Sequence, residues 1–189
     1  MKEQLNMSIF LAKKILGLIF AGLLLLQGCT AMAKDDVLKL STHTIGLACY
    51  NGVTNAKLKY GGQVERICFT WTGPEKLPKD VNKVPGILSG SFKTFASPME
   101  MTWRARDGSE LSHTVDLNKE IPDPRVSYEF PERVFAQKPF LGDPVVIVEF
   151  DDRTINIYFA ATLLVRPLDP ASREPDHADT YTLVYSRTL

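Results

Sequence analysis

The sequence has little that would identify an enzyme. No serine stands at the centre of a G-x-S-x-G pattern, Ser89-Gly90-Ser91 being the nearest approach, and the alternation of helices and strands found in α/β hydrolases is missing. Ser112, His113 and Asp116 are close in sequence, but on one strand His113 points away from the other two. Because no nucleophile, base and acid converge, we predict that the protein is not an enzyme.

Patterns for metal ions and cofactors are equally scarce. The chain has 3 histidines, His43, His113 and His177, without the H-x-x-x-H or H-E-x-x-H spacing of zinc sites. Asp151-Asp152, even with Asp143 nearby, offers fewer oxygen donors than a calcium loop needs, and a turn between two strands explains this acidic pair. We therefore predict neither a metal site nor a cofactor.

An excess of charge of one sign is also absent, since 22 basic side chains balance 22 acidic ones. A chain without a basic excess does not attract phosphate backbones, which argues against nucleic acid as a partner. The apolar run Ile15–Leu26 has 12 residues and is too short for a bilayer core, which takes about 20 residues to cross. It follows Lys13 and Lys14, and this arrangement is typical of a secretory signal.

Two cleavage sites follow the signal. Leu26-Gln27-Gly28-Cys29 resembles the lipobox of bacterial lipoproteins, in which the cysteine is lipidated and becomes the new N-terminus. Thr30 comes next, and lipoproteins without Asp at this position are generally sorted to the outer membrane. Ala31-Met32-Ala33 is instead an A-x-A site, which would release a soluble periplasmic protein after Ala33. We favour lipidation of Cys29, because a Gly-Cys pair directly behind an apolar run is rare by chance.

Lipidation at Cys29 divides the chain into three parts. Residues 1–28 are then the lipoprotein signal peptide, 29–42 the lipidated N-terminus and tether, and 43–189 a periplasmic domain held at the outer membrane by the lipid anchor. Both Met1 and Met7 are possible starts of translation.

The remaining cysteines, Cys49 and Cys68, form an even pair in an exported domain. Because the compartment is oxidising, the pair favours a disulfide that closes a loop of about 20 residues. The alternative is two buried free thiols.

Period-2 alternation of apolar residues predicts about eight strands and little helix. Asp107-Gly108 and Asp151–Arg153 mark two hairpin turns, Pro131–Gln137 is the one short helix, and 73–90 and 166–179 are irregular. The expected fold is mainly β, a single antiparallel β-sandwich-like domain with one short helix. The predicted strands include Ile45–Tyr50, Arg66–Trp71, Met99–Arg106, Leu111–Leu117, Val145–Phe150, Ile155–Val165 and Thr180–Thr188.

The first predicted hairpin carries four charges, Arg104, Arg106, Asp107 and Glu110. The solvated face of an antiparallel sheet explains them. The alternative is a partner-binding surface, on which complementary charges speed association and add specificity. The irregular stretch 73–90 is a second candidate for this surface.

The lipobox, the size of the domain, the strand Pro98–Gly108 (PMEMTWRARDG) and the late hairpin at Asp151–Arg153 resemble small bacterial lipoproteins, some of which are immunity proteins against type VI secretion phospholipase effectors. The resemblance implies a lipid-anchored periplasmic protein that binds and neutralises such an effector, without catalytic residues. One alternative is a structural or assembly lipoprotein of the envelope without inhibitory activity. Another is an enzyme or small-ligand carrier that uses a pocket of the sandwich.

Overall fold

The structure, a computed structural model, describes residues 37–85, 88–169 and 171–189, and the signal segment, Cys29 and Ala33 lie outside them. Within these ranges alternating buried and exposed residues form nine strands, of which β2 and β4 are not among the predicted ones. The strands are β1 (Thr42–Tyr50), β2 (Thr54–Tyr60), β3 (Gln63–Ile67), β4 (Leu88–Lys93), β5 (Met99–Arg104), β6 (Glu110–Val115), β7 (Val145–Asp151), β8 (Thr154–Val165) and β9 (Asp176–Thr188).

The strands form two sheets, one in the order β4-β1-β7-β8-β9 and one in the order β3-β2-β5-β6. The pairs are antiparallel apart from β1 and β7, which are parallel. Parallel neighbours need a long connection, and the whole four-stranded sheet lies between these two strands in sequence. The mainly β, sandwich-like fold is therefore confirmed, with one parallel pair in an antiparallel framework.

The two sheets enclose a common core. On β5, Met99, Met101 and Trp103 are at most 2% exposed, whereas the residues between them are in solvent. β7 differs, because Val145–Phe150 is buried on both faces of its sheet. Lys76, from the segment that follows β3, reaches the outer face of β7. A strand covered on both sides is largely apolar, which explains why Val145–Phe150 contains a single charged residue, Glu149.

The predicted strand Arg66–Trp71 is wrong beyond Ile67. β3 ends there because Cys68 adopts a φ of 54°, in the left-handed region that a strand does not use. The chain leaves the sheet, and Phe69 and Trp71 are 61% and 48% exposed. Alternation of apolar residues does not reveal such a turn, since the aromatic side chains keep the period of a strand.

The helix does not lie where the sequence pattern predicts it. Pro131–Gln137 contains only a 3-10 turn, Pro131–Arg133, whereas the α-helix α1 is Leu117–Glu120 and follows β6. The Asp116 side chain accepts a hydrogen bond from a backbone N–H of the first helical turn at 3.2 Å, and this cap starts the helix. The predicted strand Leu111–Leu117 therefore ends early.

Two boundaries also differ from the expected ones. The compact unit begins at Val37, and Leu38 and Leu40, from the segment predicted to be a tether, are buried. At the other end β9 begins at Asp176, so the irregular stretch after Val165 is shorter than predicted.

Cys49 and Cys68 form the predicted disulfide, and their Cα atoms are 6.7 Å apart. Cys49 lies on β1 in the five-stranded sheet, and Cys68 directly follows β3 in the four-stranded sheet. The bond therefore joins the two sheets covalently.

Replacing both cysteines by alanine is expected to lower the free energy of unfolding by about 3 kcal/mol, because the unfolded chain regains the entropy of a loop of about 20 residues. Urea unfolding followed by tryptophan fluorescence measures this change. Wild-type protein treated with dithiothreitol should match the double variant. A double variant as stable as the oxidised wild type would contradict a structural role for the disulfide.

Candidate functional site

Two of the predicted hairpin residues form an exposed ion pair. Arg104 Nη2 and Glu110 Oε1 are 2.7 Å apart across β5 and β6. They line a hollow of about 330 Å³ together with Asn55 and Ser112. Exposed pairs of this kind contribute at most about 1 kcal/mol to stability. Both side chains are exposed to solvent. Their role in partner binding stays a prediction.

The other two hairpin residues bind neighbouring turns. Arg106 Nε donates to the backbone oxygen of Asn51 at 3.2 Å, in the turn between β1 and β2. Asp107 Oδ2 accepts from Arg153 Nη1 at 3.0 Å, in the turn between β7 and β8. Three turns therefore meet at one end of the sandwich, and we call the contact between them the turn junction. These two charges help to hold the domain together.

The acidic pair Asp151-Asp152 belongs to the same turn junction. The Trp103 indole N–H donates to the backbone oxygen of Asp152 at 2.7 Å, and the Asp152 carboxylate accepts from the backbone N–H of Arg106 at 2.9 Å. Asp151 Oδ1 accepts from Asn51 Nδ2 at 2.6 Å. Both carboxylates therefore have a structural role, because each accepts a hydrogen bond from a neighbouring turn.

Large apolar side chains are exposed mainly in one part of the chain. In the described ranges eleven are exposed, and seven of these lie between positions 64 and 88. Single exposed apolar residues are ordinary on a protein surface, but so many within one stretch of sequence make that stretch a candidate for interaction. We call these seven residues the apolar surface: Val64, Phe69, Trp71, Leu77, Val81, Val84 and Leu88. The sequence pointed to the stretch 73–90 through its irregularity, but it placed Phe69 and Trp71 in a strand.

Trp71 also borders a groove beside β1. The groove has a volume of about 280 Å³ and is lined by Trp71, Pro74, Asp80 and Lys83 together with residues 47–50 of β1. The groove therefore lies where the chain after β3 meets β1.

The chain that follows β3 is clamped to the end of β1 at Gly73 and Pro74. Asn51 N–H donates to the Pro74 oxygen at 2.7 Å, and Gly73 N–H donates to the Val53 oxygen at 2.8 Å. A Cβ atom on Gly73 would lie 2.9 Å from the backbone nitrogen of Tyr50. Glycine is therefore required for this close approach of the two backbones.

Beyond this clamp, Lys76 reaches a buried carboxylate on β7. Lys76 Nζ lies 2.7 Å from Glu149 Oε1, with side chains 19% and 3% exposed. Asn156 Nδ2 donates to the same oxygen at 2.9 Å, and the Tyr158 hydroxyl donates to it at 3.3 Å. Burial alone would lower the pKa of Lys76, but the hydrogen bond and the charge of Glu149 raise it above its ordinary value, so the lysine stays charged. The signal in the sequence is one acidic residue in the apolar run Val145–Phe150.

Tyrosine rings surround the Lys76 ammonium group. Lys76 Nζ lies 5.5 Å from the ring centre of Tyr50 and 6.0 Å from that of Tyr158, within the range of cation–π attraction. Tyr181 packs on Tyr158 with ring centres 4.7 Å apart. Burial, reinforced by the charge of Glu149, raises the pKa of Tyr158 and Tyr181, so both hydroxyls are neutral. We call Tyr50, Glu149 and Tyr158 the lysine cage.

The three histidines have separate surroundings. His43 is fully buried, its Nε2 lies 3.2 Å from the Tyr60 hydroxyl, and its Nδ1 has no hydrogen-bond partner. His113 Nε2 lies 2.7 Å from the Tyr185 hydroxyl and thereby links β6 to β9, while His177 is exposed on β9. In the part of the chain that the structure describes, no group of three or more metal-binding side chains occurs.

Comparison of the chain with protein-family models, with curated proteins and with solved structures gave no match. Among the described residues, no helix is long and apolar enough to cross a membrane.

His43 is expected to make the fold sensitive to acid. Burial lowers its pKa from 6.5 to about 4 in the folded protein. Stability is therefore complete above pH 6.5 and falls between pH 6.5 and 4, where the unfolded chain takes up a proton that the folded protein excludes; the loss approaches about 3 kcal/mol. Urea unfolding at a series of pH values measures it.

His43→Leu is the matched control for this pH dependence, since leucine fills a similar volume and does not titrate. The difference in unfolding free energy between wild type and variant should change across this pH window. A constant difference between pH 7 and 4 would show that His43 is not the group responsible.

Proposed function

We propose that this protein is a lipid-anchored periplasmic protein that binds and neutralises an antibacterial effector, a phospholipase of a type VI secretion system. The observation that supports this proposal best is the apolar surface, the seven exposed apolar side chains between positions 64 and 88 of the chain. Such a surface serves binding and needs no catalytic group.

The composition of the apolar surface suits a tight protein interface. Trp71 and Phe69 are exposed aromatic residues, and aromatic residues dominate the binding energy of protein interfaces. The disulfide at Cys68 and the hydrogen bonds at Gly73 and Pro74 hold the neighbouring backbone in place. A surface ordered before binding loses less conformational entropy when a partner docks.

A lipid anchor would add to such an interface. Held at the membrane through Cys29, the protein would be concentrated where a phospholipase must act, which raises its effective concentration toward that partner.

The partner can be identified by capturing the tagged full-length protein from solubilised envelopes and analysing the bound proteins by mass spectrometry. We expect a secreted phospholipase, and we expect a strain that lacks this protein to be killed by sibling cells that deliver the effector. Full resistance of the deletion strain to these sibling cells would contradict the proposal. Capture of envelope components without an effector would favour an assembly lipoprotein, and retention on lipid vesicles alone would favour a membrane-binding role.

Trp71→Ser is expected to weaken effector binding at least about thirtyfold, because loss of an interface tryptophan typically costs 2 kcal/mol or more. Leu168→Ser, which alters an equally apolar residue that is 79% exposed outside the apolar surface, should leave binding unchanged. Binding is measured by biolayer interferometry with the captured partner. Loss of binding in Arg104→Glu with normal binding in Trp71→Ser would move the interface to the charged hairpin.

A further inference from the structure

Glu149 occupies an unusual place for a carboxylate. It lies on β7 next to Ala48 of β1 and Asn156 of β8, on the face of the sheet turned away from the core. This face would ordinarily be solvated, yet Glu149 is only 2% exposed. A buried carboxylate is costly unless it is paired and hydrogen-bonded, so its cation must be held in place as well.

That cation comes from the segment that carries the apolar surface. Lys76 follows the clamp at Gly73 and Pro74 by two residues and precedes Leu77, the next member of the apolar surface. The Lys76 backbone N–H also donates to Asn51 Oδ1 at 3.2 Å. Lys76 is thus bonded at both its backbone and its ammonium group, and Val81 and Val84 lie just beyond it.

The lysine cage recognises an ammonium group in particular. Glu149 supplies the negative charge at 2.7 Å, and Tyr50 and Tyr158 supply ring faces at 5.5 and 6.0 Å. No strand hydrogen bonds hold residues 77–85 in their place, apart from a 3-10 turn at Pro78–Asp80. Pro85, near the end of this stretch, lies beside Gly46 of β1. Between the capture of Lys76 and that contact, the stretch has no ion pair to the sheet among the described residues.

We infer that Lys76 and Glu149 are positioning residues that act as a latch, because capture of Lys76 in the lysine cage holds residues 77–85 in the form that binds the partner. The effect on binding rests on the proposed function. The ordering of the segment by the latch does not, and it can be measured without a partner.

The latch predicts how single and double variants of Lys76 and Glu149 differ. Lys76→Met keeps the aliphatic stem but leaves the Glu149 carboxylate buried without its cation, and Glu149→Gln leaves the lysine without its counter-charge. Removing one partner of a buried pair is more damaging than removing both. The double variant should therefore open the segment less than the sum of the single changes predicts.

Trypsin cleavage after Lys83 reports on the opening of this segment, and cleavage after Lys57 on β2 reports on global unfolding. In Lys76→Met and in Glu149→Gln we expect cleavage after Lys83 to accelerate about tenfold or more, while cleavage after Lys57 changes little. Lys79→Met removes a neighbouring exposed lysine and should behave as wild type. The products are quantified by mass spectrometry over time.

Unchanged cleavage after Lys83 in both variants would overturn the latch. Equal acceleration after Lys83 and Lys57 would overturn it too, since the pair would then only support the whole fold. Faster cleavage after Lys83 with unchanged affinity for the captured effector would overturn the part of the inference that concerns binding. Failure of the wild type to capture an effector would contradict the proposed function alone, because the cleavage rates would still test the latch.

Discussion

Burial of β7 on both faces is the constraint on which the rest of the domain depends. Its inner face packs in the core between the sheets, and its outer face is covered in part by Tyr158 and Tyr181 of the same sheet. The chain after β3 supplies the lysine that reaches this face, and the one carboxylate there makes that lysine necessary. A segment that would otherwise be a surface loop is thereby fixed to the scaffold, with its apolar side chains still turned to solvent.

A small number of specific contacts join the two sheets to each other. The disulfide joins β1 to the end of β3, and Ser89 bonds Glu65 between the edge strands β4 and β3. His113 and Tyr185 connect the opposite edge strands, β6 and β9. The turn junction fixes one end. Contacts between elements far apart in sequence thus limit how the two sheets can slide.

Most of the scaffold could be predicted from the sequence, because its strands have one buried and one solvated face. Met99–Arg104 and its hairpin partner follow this rule. The disulfide was predictable for another reason, the even pair of cysteines in an exported domain. The strand predicted through Trp71 fails, because a single left-handed residue at Cys68 turns the chain without disturbing the alternation. The short helix after Asp116 depends on a cap and a few residues, which is too little for a period to appear.

The candidate site was less predictable for a related reason. Lys76 and Glu149 are 73 positions apart, and nothing in either local sequence specifies the other. The one signal was the acidic residue within the run Val145–Phe150, because a buried carboxylate needs a cation from elsewhere in the chain. The hairpin charges were conspicuous in the sequence, yet Arg106 and Asp107 bind neighbouring turns. The sequence pattern alone did not show which charged side chains hold the fold together and which are available to a partner.

The residues around the clamp at Gly73 and Pro74 differ in how freely they can be exchanged. Gly73 and the residues of β1 that it contacts belong to the framework, and substitutions there endanger folding. Trp71 before the clamp and Leu77, Val81 and Val84 after it are exposed and can be exchanged at little cost to stability. A domain built in this way can vary a handful of outward residues while the framework that presents them stays the same.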